Sequence, residues 1–165
     1  LSEAVAELKG APISYDHDPE FAFDLPAFLP EDYIPDVGQR LDFYRRLSVA
    51  RDRDQVADVL AELNDRFGSP PLEAEHLGLM MTCKVYGLRL RALSLELRGA
   101  RFSVRLGDDT PLDPAAALRL ARKSGGRIKV KPERITINVR TPTGPDRRAQ
   151  LHDCLKALVD LTELL

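Results

Sequence analysis

Four carboxylates, Asp54, Asp58, Glu62 and Asp65, recur at i, i+4, i+8 and i+11. On a helix turning about 100° per residue, that spacing places them along one stripe. The apolar residues of the same stretch, Val56, Val59, Leu60, Leu63 and Phe67, fall almost opposite. Like charges at i,i+4 repel by roughly 0.2–0.5 kcal/mol per pair, so a helix that needs only solubility usually mixes signs there. The chemistry this stripe offers is charge pairing, with Asp58, Glu62 and Asp65 as the docking residues for arginines on a partner. A solvated acidic face explains the same pattern and stays open on this evidence alone.

A second cluster has the opposite sign. Residues 119–134 hold seven basic side chains, Arg119, Arg122, Lys123, Arg127, Lys129, Lys131 and Arg134, against the single acid Glu133. They straddle a helix end and a hairpin, and one patch assembled from them fits a nucleic-acid-binding accessory domain that contacts phosphate. Two features count against this alternative. No aromatic residue is interleaved to stack bases, and the net charge of −2 gives the whole chain no case for nucleic acid or membrane binding.

Catalytic and cofactor signatures are missing. The sequence holds no GxxxxGK[ST] phosphate loop, no GxGxxG after a strand, no GxSxG, no HExxH and no CxxC pair. Asp16-His17-Asp18 is the one tight His/carboxylate cluster, and on a strand adjacent residues alternate faces and cannot all aim at one metal. Asp108-Asp109 follows Gly107 and reads as a turn. His76 and the Met80-Met81 pair lie within an apolar helical pattern and read as core and flank. No metal and no cofactor are expected, and the chain reads as non-enzymatic.

Composition bounds the rest. The 165 residues suit one domain, and 44% hydrophobic with 30% charged content is ordinary for a globular protein. No apolar run approaches the roughly 20 residues of a membrane helix. Cys83 and Cys154 sit among apolar residues and read as buried free thiols, which suits a reducing, cytoplasmic compartment. The first residue is Leu rather than Met, which suggests a fragment of a longer protein or a processed start.

The elements that position these residues follow from pattern. Leu1 to Leu8 read as a short helix stopped by Gly10, and residues 11–35, with five prolines, as extended. Within them Phe21-Ala22-Phe23-Asp24-Leu25 alternates like an edge strand. Asp36 with Gln39, and Asp52 with Gln55, have capping-box spacing and open two helices. The first carries an apolar stripe of Val37, Leu41, Tyr44 and Leu47; the second should bury Leu63 and Phe67. Ser69-Pro70-Pro71 starts a third helix that runs to a Gly87 stop. Leu93, Leu95 and Leu97, then Phe102, Val104 and Leu106, alternate about Gly99-Ala100 as a hairpin. A short helix from Asp113-Pro114 and a second strand pair around Pro132 follow. The terminal helix should place Leu151, Leu155, Leu158 and Leu165 on its core side. This order predicts an α+β fold: a small antiparallel sheet of hairpins packed with about five to six helices.

Three segments carry a resemblance. Pro30-Glu31-Asp32-Tyr33-Ile34 followed by Arg40-Leu41-Asp42-Phe43-Tyr44-Arg45-Arg46-Leu47 resembles the P-x-x-Y-I…R-L-x-x-Y-[KR]-[KR] run in the C-terminal domain of bacterial transcription-repair coupling factors (Mfd). Glu62-Leu63-Asn64-Asp65-Arg66-Phe67-Gly68-Ser69-Pro70-Pro71 is similar to that family's E-L-x-D-R-[FY]-G-x-x-P segment, and residues 1–10 to the linker that follows its motor. The second half of the chain agrees only in element order and in its helical terminus. The resemblance implies a large parent with a UvrB-like region, an RNA-polymerase-binding domain and an ATP-driven DNA translocase. It further implies that this domain docks on the UvrB-like region of the same chain, masks UvrA recruitment and restrains the motor. It assigns the acids of the E-L-x-D-R-F-G segment, here Glu62 and Asp65, to arginines of that region.

Overall fold

A computed structural model describes residues 18–165. The expected linker helix of residues 1–10 and Asp16-His17 of the acidic cluster lie outside the described residues. The elements are β1 (Glu20–Phe23), α1 (Val37–Val49), α2 (Arg53–Phe67), α3 (Leu72–Arg89), β2 (Ala92–Arg98) and β3 (Arg101–Leu106). They continue with α4 (Pro114–Lys123), β4 (Ile128–Lys131), a 3₁₀ turn (Pro132–Arg134), β5 (Thr136–Arg140) and α5 (Arg147–Thr162). This is the expected α+β fold. Contacts divide it into two compact units, one of residues 25–85 and one of residues 18–24 with 86–165; the division falls within α3, after Val85.

The 25–85 unit is built on α1, α2 and most of α3. Asp36 and Asp52 are true N-caps, and their side chains accept from the backbone N–H groups of Gln39 and Gln55 at 2.8 and 2.9 Å. Each satisfies one of the orphan donors of a helix start. Phe43, Tyr44, Leu47, Val56, Val59, Leu63, Leu77, Met80 and Met81 are buried. Val37, expected on the α1 stripe, is 44% exposed, because it occupies the first helical residue, ahead of the packed turns. His76 is buried as expected, and its Nδ1 lies 2.7 Å from the Pro26 carbonyl.

The other unit is a five-stranded sheet in the order β1-β2-β3-β5-β4. Every pairing is antiparallel except β1 with β2, which is parallel from Glu20↔Ser94 to Phe23↔Leu97. The alternation in 21–25 located this edge strand but not its direction. A hairpin turn forces antiparallel pairing, whereas the long helical connection from β1 to β2 lets the chain return in the same sense. Leu95, Leu97, Phe102, Val104, Ile137 and Val139 form the buried face.

Leu93 departs from its expected face and is 48% exposed while Ala92 is buried. The register shifts between Ala92 and Ser94, and such a bulge reverses the side on which preceding residues point. Gly87 does not stop α3, which continues to Arg89. A Cβ at Gly87 would stand 3.2 Å from Leu95 Cδ1, so the glycine lets helix and strand approach closely. The turn falls instead at Arg91, with φ of 56°. In α5, Leu151, Leu155 and Leu158 are buried, but Leu165 lies past the helix end and is 46% exposed.

The opposite face of the sheet is polar and arranged in rungs. Arg98, Arg101 and Arg140 are in register across β2, β3 and β5. The next rung aligns Glu96, Ser103, Asn138 and Lys129, and the third Ser94, Arg105, Thr136 and Lys131.

Candidate functional site

The acidic helix α2 resolves into two kinds of carboxylate. Asp54, Asp58 and Asp65 are exposed. Glu62 is half-buried and engaged: Arg46 of α1 donates from Nη1 to Oε2 at 2.8 Å and from Nη2 to Oε1 at 3.0 Å. Arg66, one turn along α2, donates to Oε2 at 3.1 Å. The two-pronged Arg46 hydrogen bond, with Arg66 second, holds the Glu62 carboxyl down at about 2 from an ordinary 4.5. The same Glu62 bond raises the Arg46 guanidinium above its already high value.

Aromatic rings complete the cluster. The Arg46 guanidinium lies 5.2 Å from the Phe43 ring centroid, and that of Arg66 lies 5.3 Å from Phe43 and 5.2 Å from Phe67. Phe43 meets Phe67 edge-on at 5.9 Å, and Tyr33 lies 5.8 Å from Phe67. Such contacts contribute roughly 0.5–1 kcal/mol each at exposed positions. The Tyr33 hydroxyl donates toward the carbonyls of Leu63 at 3.1 Å and Gly68 at 2.8 Å, closing the C-terminus of α2. Gly68 there adopts φ of 83°, a conformation open to glycine at no steric penalty.

The two internal sequence segments that carry the resemblance therefore meet in space. Tyr33, Phe43 and Arg46 come from the first, and Glu62, Arg66, Phe67 and Gly68 from the second. Leu63 is buried at 1% exposure, as its position on the apolar face predicts. Phe67, expected to be buried, is only half-buried. It is the last residue of α2, and rings and a guanidinium cover it rather than a closed core. Glu62 differs from the simple exposed acid that a wheel implies, because a wheel drawn for one helix omits Arg46 of the neighbouring helix.

The basic run is spread over several elements. Arg119, Arg122 and Lys123 are exposed on α4, and Lys129 and Lys131 on β4. Arg127 is half-buried and paired with Asp153 of α5 at 2.8 Å. Sequence reading missed Arg98, Arg101, Arg105 and Arg140, which strand pairing brings beside Lys129 and Lys131. The alternation of polar with apolar residues along β2 and β3, which puts Arg98, Arg101 and Arg105 on the face opposite the core, was the available signal; the register between strands was not.

Among the described residues no three His, Cys, Asp or Glu gather as a metal site, and no helix is long and apolar enough to cross a membrane. Cys83 and Cys154 are both buried, and neither is in a disulfide. Burial pushes the Cys83 thiol up to about 12, against a smaller opposing effect of the Arg53 charge.

The structure is a small α+β module, and the TRCF domain model matches residues 23–117 of it, more than half of the chain. The chain belongs to the transcription-repair coupling factor family. It is 38% identical over 162 residues to the transcription-repair-coupling factor of Myxococcus xanthus, a match covering 98% of this chain and 13% of that protein. It is 27% identical over 146 residues to that of Bacillus subtilis, covering 86% and 12%, and 30% identical over 104 residues to that of Escherichia coli, covering 63% and 9%. The chain thus spans about an eighth or less of the length of these relatives. The crystal structure of a C-terminal domain of transcription-repair coupling factor matches with a TM-score of 0.70 at 18% identity, over 88% of this chain and 94% of that one. At that identity the match speaks for the fold alone.

Proposed function

We propose that this chain is a non-enzymatic, autoinhibitory interaction domain of a cytoplasmic transcription-coupled DNA repair factor. It docks on the UvrB-like region of its own parent protein, masks the surface that recruits UvrA, and restrains the DNA translocase until RNA polymerase is engaged. The observation that carries this reading is the division of labour on α2. The Arg46–Glu62–Arg66 cluster fixes the helix against α1, and Asp58 and Asp65 are left exposed on it as charges for a partner. Glu62 serves the same surface by positioning rather than by reaching across, since both its oxygens are engaged within the domain.

A polar surface of this kind suits a releasable contact. Docking within one chain needs little intrinsic affinity, because a tether supplies an effective concentration on the order of mM. Complementary charges then set register and partner choice more than they add affinity. The test is a pull-down of this chain with the parent's UvrB-like region, with and without UvrA. Capture that UvrA competes away is expected. No capture at low salt by a correctly folded chain contradicts the proposal.

A further inference from the structure

The net charge of −2 hides a segregation between the two units. Residues 25–85 carry seven Lys and Arg against eleven Asp and Glu, while residues 18–24 with 86–165 carry sixteen against twelve. Much of the excess is concentrated on one surface. The polar face of the sheet presents Arg98, Arg101, Arg105, Lys129, Lys131 and Arg140, all exposed. Its acids, Glu20 and Glu96, stand on β1 and β2, and Glu96 is paired with Arg98. Across β3, β5 and β4 the described residues place no acid among these cations.

This arrangement works against stability. Like charges directly opposite on paired strands repel, and Arg98, Arg101 and Arg140 occupy one rung. A face that needs only solubility has no use for three arginines side by side. Arg98, Arg101, Lys129 and Arg140 also line a hollow of about 410 Å³.

We infer that the polar face of this sheet binds the phosphate backbone of duplex nucleic acid without regard to sequence. Three observations select that partner. The rungs hold no large apolar side chain, whereas protein interfaces are built around an apolar and aromatic core; nucleic-acid interfaces are more polar and much more positive. Between the cations stand Ser103, Asn138 and Thr136, hydroxyl and amide groups of the kind that bond phosphate and sugar oxygens. Among the described residues of this face no aromatic ring offers a stacking platform for single-stranded bases. With strands about 4.8 Å apart, β2 and β4 are separated by roughly 14 Å. Cations on these margins can therefore meet both phosphate strands bordering a B-form major groove about 12 Å wide. The surface shares no residue with α2, so this inference stands apart from the docking proposal.

Fluorescence anisotropy of the 165-residue chain with a labelled, random-sequence DNA duplex tests it. Six phosphate contacts predict that log K falls with log salt at a slope of about −5. Arg101→Gln/Arg105→Gln removes two contacts from exposed positions; it should weaken binding at least about tenfold at low salt and make the slope shallower by about 2. Asp58→Lys/Asp65→Lys should leave the binding at least as strong. Thermal melts establish that each variant is folded; if the glutamine pair is not, Lys129→Gln/Lys131→Gln on the edge strand takes its place. The inference is overturned if the folded chain binds no duplex at low salt, or if the neutralised variant binds like wild type. It is equally overturned if polyglutamate of matched charge displaces the duplex as well as unlabelled duplex does, or if single strands bind more tightly.

Discussion

Arg46 of α1 grips both carboxylate oxygens of Glu62 of α2, at 2.8 and 3.0 Å, and so turns the third acid of an otherwise exposed stripe into a clamp between two helices. Both side chains remain about one-third exposed, so solvent weakens the pair. Its value lies in orientation: a two-pronged guanidinium–carboxylate contact fixes angle as well as distance. Asp58 and Asp65 are thereby carried on a helix of defined direction.

The clamp should show itself in the pH dependence of stability. The folded state holds Glu62 at about 2 against 4.5, so its ionised form stabilises the fold above pH 4.5, and that contribution is lost as pH falls toward 2. Glu62→Gln should lower the melting temperature at pH 7, by an amount that shrinks below pH 4.5 and vanishes near pH 2. A deficit that stays constant down to pH 2 would show that the glutamine does harm by another route.

Charge reversal separates the acids of the stripe. Glu62→Lys places a third cation beside Arg46 and Arg66 and should lower the melting temperature, whereas Asp58→Lys and Asp65→Lys, at exposed positions, should change stability by less than about 0.5 kcal/mol. Urea denaturation of the three single variants checks this ordering.

Leu63 sits at 1% exposure beneath the cluster. Leu63→Ala should destabilise by roughly 2–5 kcal/mol, from lost burial together with the cavity left behind. A loss below about 0.5 kcal/mol in urea denaturation would mean that the apolar face of α2 is not where the structure places it.

Cys83 should be chemically silent in the native protein. It is fully buried and its thiol is pushed up to about 12, so almost no thiolate exists near neutral pH. A thiol-specific reagent at pH 8 should label it slowly in buffer and rapidly in urea. Rapid labelling of the folded chain, located at Cys83 by peptide mapping, would contradict its burial.

Much of the fold was legible because it rests on local chemistry. Asp36 and Asp52 announced helix starts through their partners three residues on, and the alternation either side of Gly99-Ala100 announced a hairpin. The departures occurred where a neighbour decides. The bulge at Ala92/Ser94 turned Leu93 outward, Leu95 made Gly87 a contact position rather than a stop, and a long helical connection made β1 parallel. The acidic stripe was legible in the same partial way. Periodicity placed Asp58 and Asp65 away from the core, but only the packing of α1 on α2 reveals that Glu62 is already engaged. The basic sheet face was illegible for a stronger reason, since its rungs join residues up to 42 positions apart, Arg98 to Arg140.

The measurement that bears most directly on the autoinhibitory account is calorimetric titration of the parent's UvrB-like region with this chain and with its Asp58→Lys/Asp65→Lys form. The account predicts that the wild-type chain binds and that the variant, folded and melting as wild type does, binds at least about tenfold more weakly at low salt, because its lysines face arginines. The gap should narrow as the screening length falls from about 10 Å at 0.1 M salt to about 3 Å at 1 M. Equal affinity of the two forms at low salt would contradict the account and leave the acidic stripe as a solvated face.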